Sequence, residues 1–367
     1  MIYQNFQDLK LSALGLGCMR LPTVDGQDHV IDMERTAEMV KIAFENGINY
    51  VDTAWFYHGG NSEIAMGTIL KNYPRESFYL ATKFPGLDAE HGYDTVQKVF
   101  ERQLEKCQVD YFDFYLFHNV SDGRLSMMMD PEIGVYEYLV EQKRQGRIRH
   151  LGFSTHGSLE CMRKFLDAYG DELEFCQIQL NWLDWKLQDA KAKVELLNSR
   201  NIPVWVMEPV RGGRLVNLPQ EDMDQLTALR PGVTTPEWAF RFLQSVPGVT
   251  IILSGMSNEQ QLWENIHTFC TSAPLNEEEM GVTLAIADKM IAKNAVPCTG
   301  CNYCVDHCPM NIPIPDVIKL YNELANGGTE QPGNPGPADC VACGSCHIHC
   351  PQGINIPGVM KAYADKL

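Results

Sequence analysis

Eight cysteines between Cys298 and Cys350 fall into two runs of identical spacing. The first run is Cys298, Cys301, Cys304, Cys308 and Pro309; the second is Cys340, Cys343, Cys346, Cys350 and Pro351. Three thiolates in Cys-x2-Cys-x2-Cys can take three corners of an iron–sulfur cubane, and the proline stiffens the chain that presents the fourth. Zinc would use four thiolates in two Cys-x2-Cys pairs, which suits these runs less well. Cys343-Gly-Ser-Cys346-His347 also matches a haem attachment pattern, but the same cysteines complete the repeat. The start, MIYQNFQDLK, has no apolar run behind a basic end, so the expected location is cytoplasmic. In that compartment clustered cysteines ligate metal rather than form disulfides. The scattered Cys18, Cys107, Cys161, Cys176 and Cys270 read as small apolar core residues.

The cysteine runs are part of a longer repeat. Ile314, Pro315, Val317, Lys319 and Tyr321 recur 42 residues later as Ile356, Pro357, Val359, Lys361 and Tyr363. Each half is therefore a cysteine loop followed by a helix that opens on proline. Asn326–Ala338, rich in Pro and Gly, reads as the loop between them.

A second set of chemically capable residues lies upstream: Asp52, Tyr57, Lys83 and His118. Each follows or ends a short β-branched or aromatic run. The candidate strands are Gly15–Met19, Tyr50–Asp52, Phe78–Thr82, Phe112–Leu116, His150–Ser154, Phe175–Gln179, Pro203–Met207 and Val249–Leu253. Segments of helical period, such as Arg35–Asn46, Asn61–Lys71 and Asp94–Cys107, alternate with them. Eight strands each followed by a helix predict a (β/α)8 TIM barrel, with Met1–Lys10 as a hairpin closing its floor. An open doubly wound sheet fits less well, because Gly15-Leu-Gly17-Cys-Met-Arg20 lacks the third glycine of a phosphate loop.

In such a barrel, side chains at the carboxyl ends of the strands meet at one mouth. Lys83 beside Tyr57 would favour the phenolate and lower its pKa from ~10. Asp52 would hold the lysine, and His118 would orient a substrate carbonyl. Together they would make a proton donor matched to hydride delivery onto a carbonyl carbon.

Gly15-x-Gly17-x-Met19-Arg20-x-Pro22, Asp52-Thr53-Ala54 with Tyr57, Ala81-Thr82-Lys83 and Phe117-His118 resemble the aldo-keto reductase superfamily. The resemblance covers residues 1 to about 285 and implies that Asp52, Tyr57, Lys83 and His118 are its catalytic tetrad. It also implies a nicotinamide cofactor across the barrel mouth, NADPH or NADH. Ser154 and Gln177 match residues that hold the carboxamide, and Glu264 and Asn265 match residues near the adenine. Met207 stands where the family stacks an aromatic ring. No basic pair for a 2′-phosphate stands around Gly255 and Gln261, and Arg211 and Arg214 are alternatives for the pyrophosphate.

The cysteine module resembles two-cluster ferredoxins of the helical type. That resemblance implies two 4Fe–4S clusters with crossed fourth ligands: Cys298, Cys301, Cys304 with Cys350, and Cys340, Cys343, Cys346 with Cys308. The expected domains are a barrel over 1–285 and a ferredoxin-like domain over 286–367. The whole chain then looks like the iron–sulfur branch of the superfamily.

Charge limits the partners. The chain has 47 acidic and 30 basic residues, a net −17, which disfavours nucleic acid and anionic lipid. No run reaches the ~18 apolar residues of a membrane helix. The expected function is reduction of an aldehyde or ketone by NAD(P)H. Nicotinamide passes two electrons as hydride, whereas a cluster passes one. The alternatives are therefore an electron-transfer reductase, with a flavin (which no motif identifies) or a partner such as ferredoxin or flavodoxin, and a redox sensor with an idle barrel. Met127, Met128 and Met129, after His118, could line an apolar pocket or pack as a plain loop.

Overall fold

The structure is a computed structural model that describes residues 1–293, 296–324 and 329–367. Its contacts divide it into two compact units. One comprises Met1–Pro209 with Pro236–Met280, the other Val210–Thr235 with Gly281–Leu367. A single cut at 285 therefore misses the segment Val210–Thr235, which packs with the second unit. Part of the expected loop Asn326–Ala338 lies outside the described residues.

The first unit is a closed eight-stranded parallel barrel with a separate two-stranded hairpin. The hairpin pairs β1 (Tyr3–Phe6) with β2 (Leu9–Ser12). The barrel strands are β3 (Leu14–Gly17), β4 (Tyr50–Asp52), β5 (Tyr79–Phe84), β6 (Phe112–Phe117), β7 (Ile148–Thr155), β8 (Phe175–Gln179), β9 (Val204–Met207) and β10 (Val249–Ser254). They run in sequence order, and β10 closes onto β3. The barrel and the hairpin agree with expectation. The first strand is shorter than expected, because Cys18–Arg20 turns away as a 3-10 helix.

Strand periodicity dictates what fills the barrel. Alternate residues point inward, and Tyr50, Ala81, Phe114, Leu116, Phe175, Trp205, Ile251 and Leu253 form one buried cluster. Phe6 of the hairpin joins it, with ring centroids 5.1 Å from both His150 and Trp205. The hairpin thus plugs the floor with an aromatic side chain. On the outer face, helix Ser62–Leu70 packs on helix Val96–Cys107 through Gly67. A Cβ there would lie 2.4 Å from the Lys106 carbonyl oxygen.

The second unit shows the repeat as a spatial symmetry. Its two main helices, Ile314–Leu324 and Ile356–Ala364, are the two copies of one sequence. Tyr321 and Tyr363, equivalent residues of the two halves, meet at 5.4 Å between ring centroids. His307 and His349, also 42 residues apart, stack at 3.4 Å and 11°. A residue that touches its own repeat copy lies near a local two-fold axis. The core contains Ile312, Ile314, Val317, Ile318, Ile354, Ile356 and Met360 together with Cys304 and Cys346. Among the described residues no helix is long and apolar enough to cross a membrane.

Substituting Gly67 by Ala tests the close approach of the two outer helices. Alanine favours a helix by ~1 kcal/mol over glycine, but here the clash is with backbone, which no rotamer relieves, and overpacking costs about 1–3 kcal/mol. The expected result is a lower urea midpoint; an unchanged or higher midpoint would show that the contact is looser than described.

Candidate functional site

The inward alternation that builds the barrel core also builds its mouth. Asp52 stands two residues beyond Tyr50 on β4, Lys83 two beyond Ala81 on β5, and His118 two beyond Leu116 at the end of β6. Tyr57 comes from the turn Tyr57–Gly60 that follows β4. His58, in this turn at φ 55°, accepts from the Leu21 N–H through Nε2 at 3.1 Å. Its Nδ1 lies 2.6 Å from the Asp28 carbonyl oxygen. This buried imidazole pins the loop after β3 to the turn that presents Tyr57.

The four residues come together as expected. Lys83 Nζ lies 2.6 Å from Asp52 Oδ1 and donates to the Thr53 carbonyl at 2.8 Å. It reaches the Tyr57 hydroxyl at 3.5 Å and stands 5.0 Å from the centre of its ring. The Tyr57 and His118 rings are 6.4 Å apart and nearly perpendicular. All four side chains are buried.

The electrostatics differ from the expectation in one respect. Tyr57 is not driven towards phenolate; its pKa is raised well above the usual phenol value. Burial is the main cause, and Asp52, Cys18 and Glu208 add to it, while Arg20 opposes. The lysine charge is engaged at much shorter range with Asp52. Burial likewise raises Asp52, with Lys83 opposing. His118 is held well below the usual imidazole value by burial, then by the charges of Lys83, Arg124 and His156. Near neutral pH the site therefore presents a protonated phenol and a neutral imidazole. The His118 Nδ1 is buried with no hydrogen-bond partner among the described residues.

The expected nicotinamide contacts divide. Ser154 and Gln177 are register neighbours on β7 and β8. The Ser154 hydroxyl accepts from the Asn119 N–H at 2.9 Å. Gln177 is buried with its Oε1 lacking a partner among the described residues. A buried amide oxygen left unpaired costs free energy, and a carboxamide N–H would satisfy it, so these two residues fit the group. Met207 ends β9 in register with Gln179. Asn265 is buried and donates to Ser254 at the end of β10, at 3.0 Å. Glu264 instead faces solvent and accepts from Gln260. Arg20 lies across Gly255, where an added Cβ would come within 2.9 Å of its Cγ.

Arg211 is placed elsewhere. It is fully buried in the second unit, donating to the Pro297 carbonyl at 3.1 Å and to Gln352 Oε1 at 3.4 Å. Sequence position alone suggested a barrel loop, because the strand before Arg211 belongs to the barrel.

Sequence reasoning also missed the support behind Lys83. Thr82, on the outer face of β5, donates to Glu63 Oε1 at 2.7 Å. Gln103 donates to the same oxygen at 2.7 Å and to the Lys83 carbonyl at 3.0 Å. Lys106 pairs with Glu63 Oε2 at 2.7 Å and stands 4.5 Å from the Trp55 ring centre. A lone acidic residue in the otherwise apolar segment Ser62–Leu70 was the available signal.

The cysteines sort into the expected crossed sets. One pocket is lined by Cys298, Cys301, Cys304 and Cys350. Another is lined by Cys308, Cys340, Cys343 and Cys346. Burial pushes the Cys304 thiol up, and Cys301, Cys298 and Cys350 push it further. Cys346 is raised in the same way, by burial and then by Cys340, Cys308 and Cys343. Four converging thiols, the donor set of an iron–sulfur cluster, fit such a group. Among the described residues no group of three or more His, Cys, Asp or Glu side chains is arranged to hold a single metal ion.

Comparison with known proteins finds two matches along the chain. The aldo/keto reductase family matches residues 13–287, and a 4Fe-4S dicluster domain matches residues 297–354. The chain belongs to the aldo/keto reductase family: it is an oxidoreductase of that family carrying a 4Fe-4S dicluster domain. It is 33% identical over 306 residues to L-galactose dehydrogenase of Arabidopsis thaliana, covering 76% of this chain and 92% of that one. To the NADH-specific methylglyoxal reductase of Escherichia coli it is 26% identical over 302 residues, 71% and 90% of the two chains. The holo form of an aldo-keto reductase from Bacillus halodurans superposes with a TM-score of 0.64 at 25% identity, covering 78% of this chain and 96% of that one.

Replacing Lys106 by Met would leave the Glu63 carboxylate buried without its cation. Breaking a buried pair in this way costs about 3–5 kcal/mol, so the urea midpoint of the barrel, followed by tryptophan fluorescence, is expected to fall sharply.

Proposed function

We propose that this protein reduces a small carbonyl compound with NADH or NADPH, and that its dicluster domain holds two 4Fe–4S clusters. The observation that carries the reading is the buried Tyr57 phenol, kept protonated beside the Lys83–Asp52 ion pair and a neutral His118. When bound, the reduced nicotinamide supplies hydride to the carbonyl carbon. Tyr57 gives its proton to the carbonyl oxygen, and Lys83 stabilises the phenolate that remains. Asp52 keeps Lys83 charged and in place. His118 orients the carbonyl as a neutral hydrogen-bonding group. Ser154 and Gln177 hold the carboxamide, with Met207 beside the nicotinamide and Asn265 behind the adenine end. The named activities of the Arabidopsis and Escherichia coli relatives are both oxidoreductions at carbonyl or carbinol carbon, which supports the class without choosing the substrate. For the clusters, Cys298, Cys301, Cys304 and Cys350 would hold one and Cys308, Cys340, Cys343 and Cys346 the other.

The test is anaerobic purification with iron and sulfide assays, followed by NADH and NADPH oxidation against a panel of aldehydes and ketones. About eight irons per chain are expected. Tyr57→Phe is expected to lower kcat by at least ~100-fold, the low end of general-acid contributions. Activity driven only by reduced ferredoxin, or full nicotinamide-linked activity in Tyr57→Phe, would overturn the reading.

The pH dependence follows from the two shifts. Tyr57, raised, stays protonated through neutral and mildly alkaline pH, and His118, lowered, stays neutral there. The kcat for carbonyl reduction is expected to be flat from about pH 7 to about pH 10, the ordinary phenol value. An alkaline fall beginning well below that would show a phenol acidified by Lys83 after all.

A further inference from the structure

The local two-fold symmetry of the second unit is broken in charge. The Arg211 side chain enters the first half, where it donates to the Pro297 carbonyl at 3.1 Å and to Gln352 Oε1 at 3.4 Å. Pro297 directly precedes the ligand Cys298, and Gln352 lines the first cysteine cavity. The contact is a fitted one. Gly212 has φ 60°, and a Cβ on it would lie 2.1 Å from the Thr299 carbonyl oxygen. Arg211-Gly212 is thus seated against the backbone that leads into Cys301.

The repeat identifies the equivalent positions in the second half, 42 residues on or back. Asp339 stands where the first half has Pro297, and Met310 where it has Gln352. The Asp339 carboxylate accepts from the Gly336 N–H at 2.8 Å, directly before ligand Cys340. Thr299 of the first cavity is replaced by Val341 in the second. Gly300 N–H also donates to Cys298 Sγ at 3.4 Å. A buried guanidinium, an amide, a hydroxyl and an N–H···S bond therefore serve the first site. The second is lined by His307 and otherwise, besides its cysteines, by apolar side chains, with Asp339 directly before Cys340.

We infer that Arg211 makes the Cys298/Cys301/Cys304/Cys350 site the higher-potential cluster of the two. Reduction adds one electron to a cluster, and so one negative charge that its surroundings must stabilise. Nearby charge, hydrogen bonds to sulfur and solvent exposure set how readily this happens. The exposed Cys343 at the second site favours reduction there through water. The Arg211 guanidinium is buried, where a low dielectric makes charge felt more strongly than in water, and an arginine keeps its charge. Arg211 is here a positioning and field-setting residue, not a ligand. The inference rests on the reading that each cysteine set holds a cluster.

The test is a dithionite titration of the anaerobically purified holoprotein, followed by electron paramagnetic resonance, with iron and sulfide measured on every sample. Wild type is expected to show two one-electron waves at separate potentials. Cys343→Ser, which disturbs only the second set, is expected to keep the higher wave. Arg211→Gln is expected to shift the higher wave downward by at least tenfold in the reduction equilibrium, about 59 mV for one electron, and to leave the lower wave in place. Arg211→Lys, which retains the charge, is expected to shift it less. Coincident wild-type waves, a higher wave lost in Cys343→Ser, or an Arg211→Gln protein of full iron content with both waves unmoved would each overturn the inference. If Arg211→Gln does not retain iron, the wild-type and Cys343→Ser titrations decide. Absence of iron and sulfide from wild type would instead refute the cluster reading itself.

Discussion

The barrel mouth depends on one buried ion pair. Lys83 and Asp52 are both removed from water, and each alone would carry a large desolvation cost. At 2.6 Å they offset each other, and the Thr53 carbonyl satisfies a further ammonium proton. Everything nearby follows from this arrangement. The lysine reaches Tyr57 only as a longer second contact, so burial sets the acidity of the phenol. The same charge helps keep His118 neutral. Glu63, Gln103 and Thr82 then hold the strand that carries Lys83 from its outer face. The lysine is thus fixed from both sides of the barrel wall.

The second unit is organised around sulfur rather than charge pairing. Its apolar core is small, and two of the ligand cysteines are part of it. A fold of this size gains from a bound group that links distant segments. The fourth cysteine of each run crosses to the other set, since Cys308 lines the cavity of the second set and Cys350 that of the first.

Periodicity made the barrel legible in the sequence. Alternating inward residues from Tyr50 to Asp52, Ala81 to Lys83 and Leu116 to His118 place the tetrad once the strands are recognised. The cysteine sets were legible for a different reason, because spacing and repetition determine which ligands are near in space. Acidity was not legible. Whether Tyr57 is governed by its lysine or by its burial depends on distances that the sequence does not contain. Arg211 shows the same limit. The strand that precedes it in sequence belongs to the barrel, while its partners Pro297 and Gln352 lie about ninety and one hundred and forty residues downstream. Glu63 was passed over because one carboxylate in an apolar helix looks like an exposed residue until its three buried partners are seen.

The crossing of Cys308 and Cys350 has a consequence for how the second unit is assembled. Neither half owns a complete ligand set, so neither can close around a cluster before the other half has arrived. The chain must be present to Cys346 before the second cavity has its four cysteines, and to Cys350 before the first has. The two halves are interlocked: each cysteine set is completed by a residue from the other half.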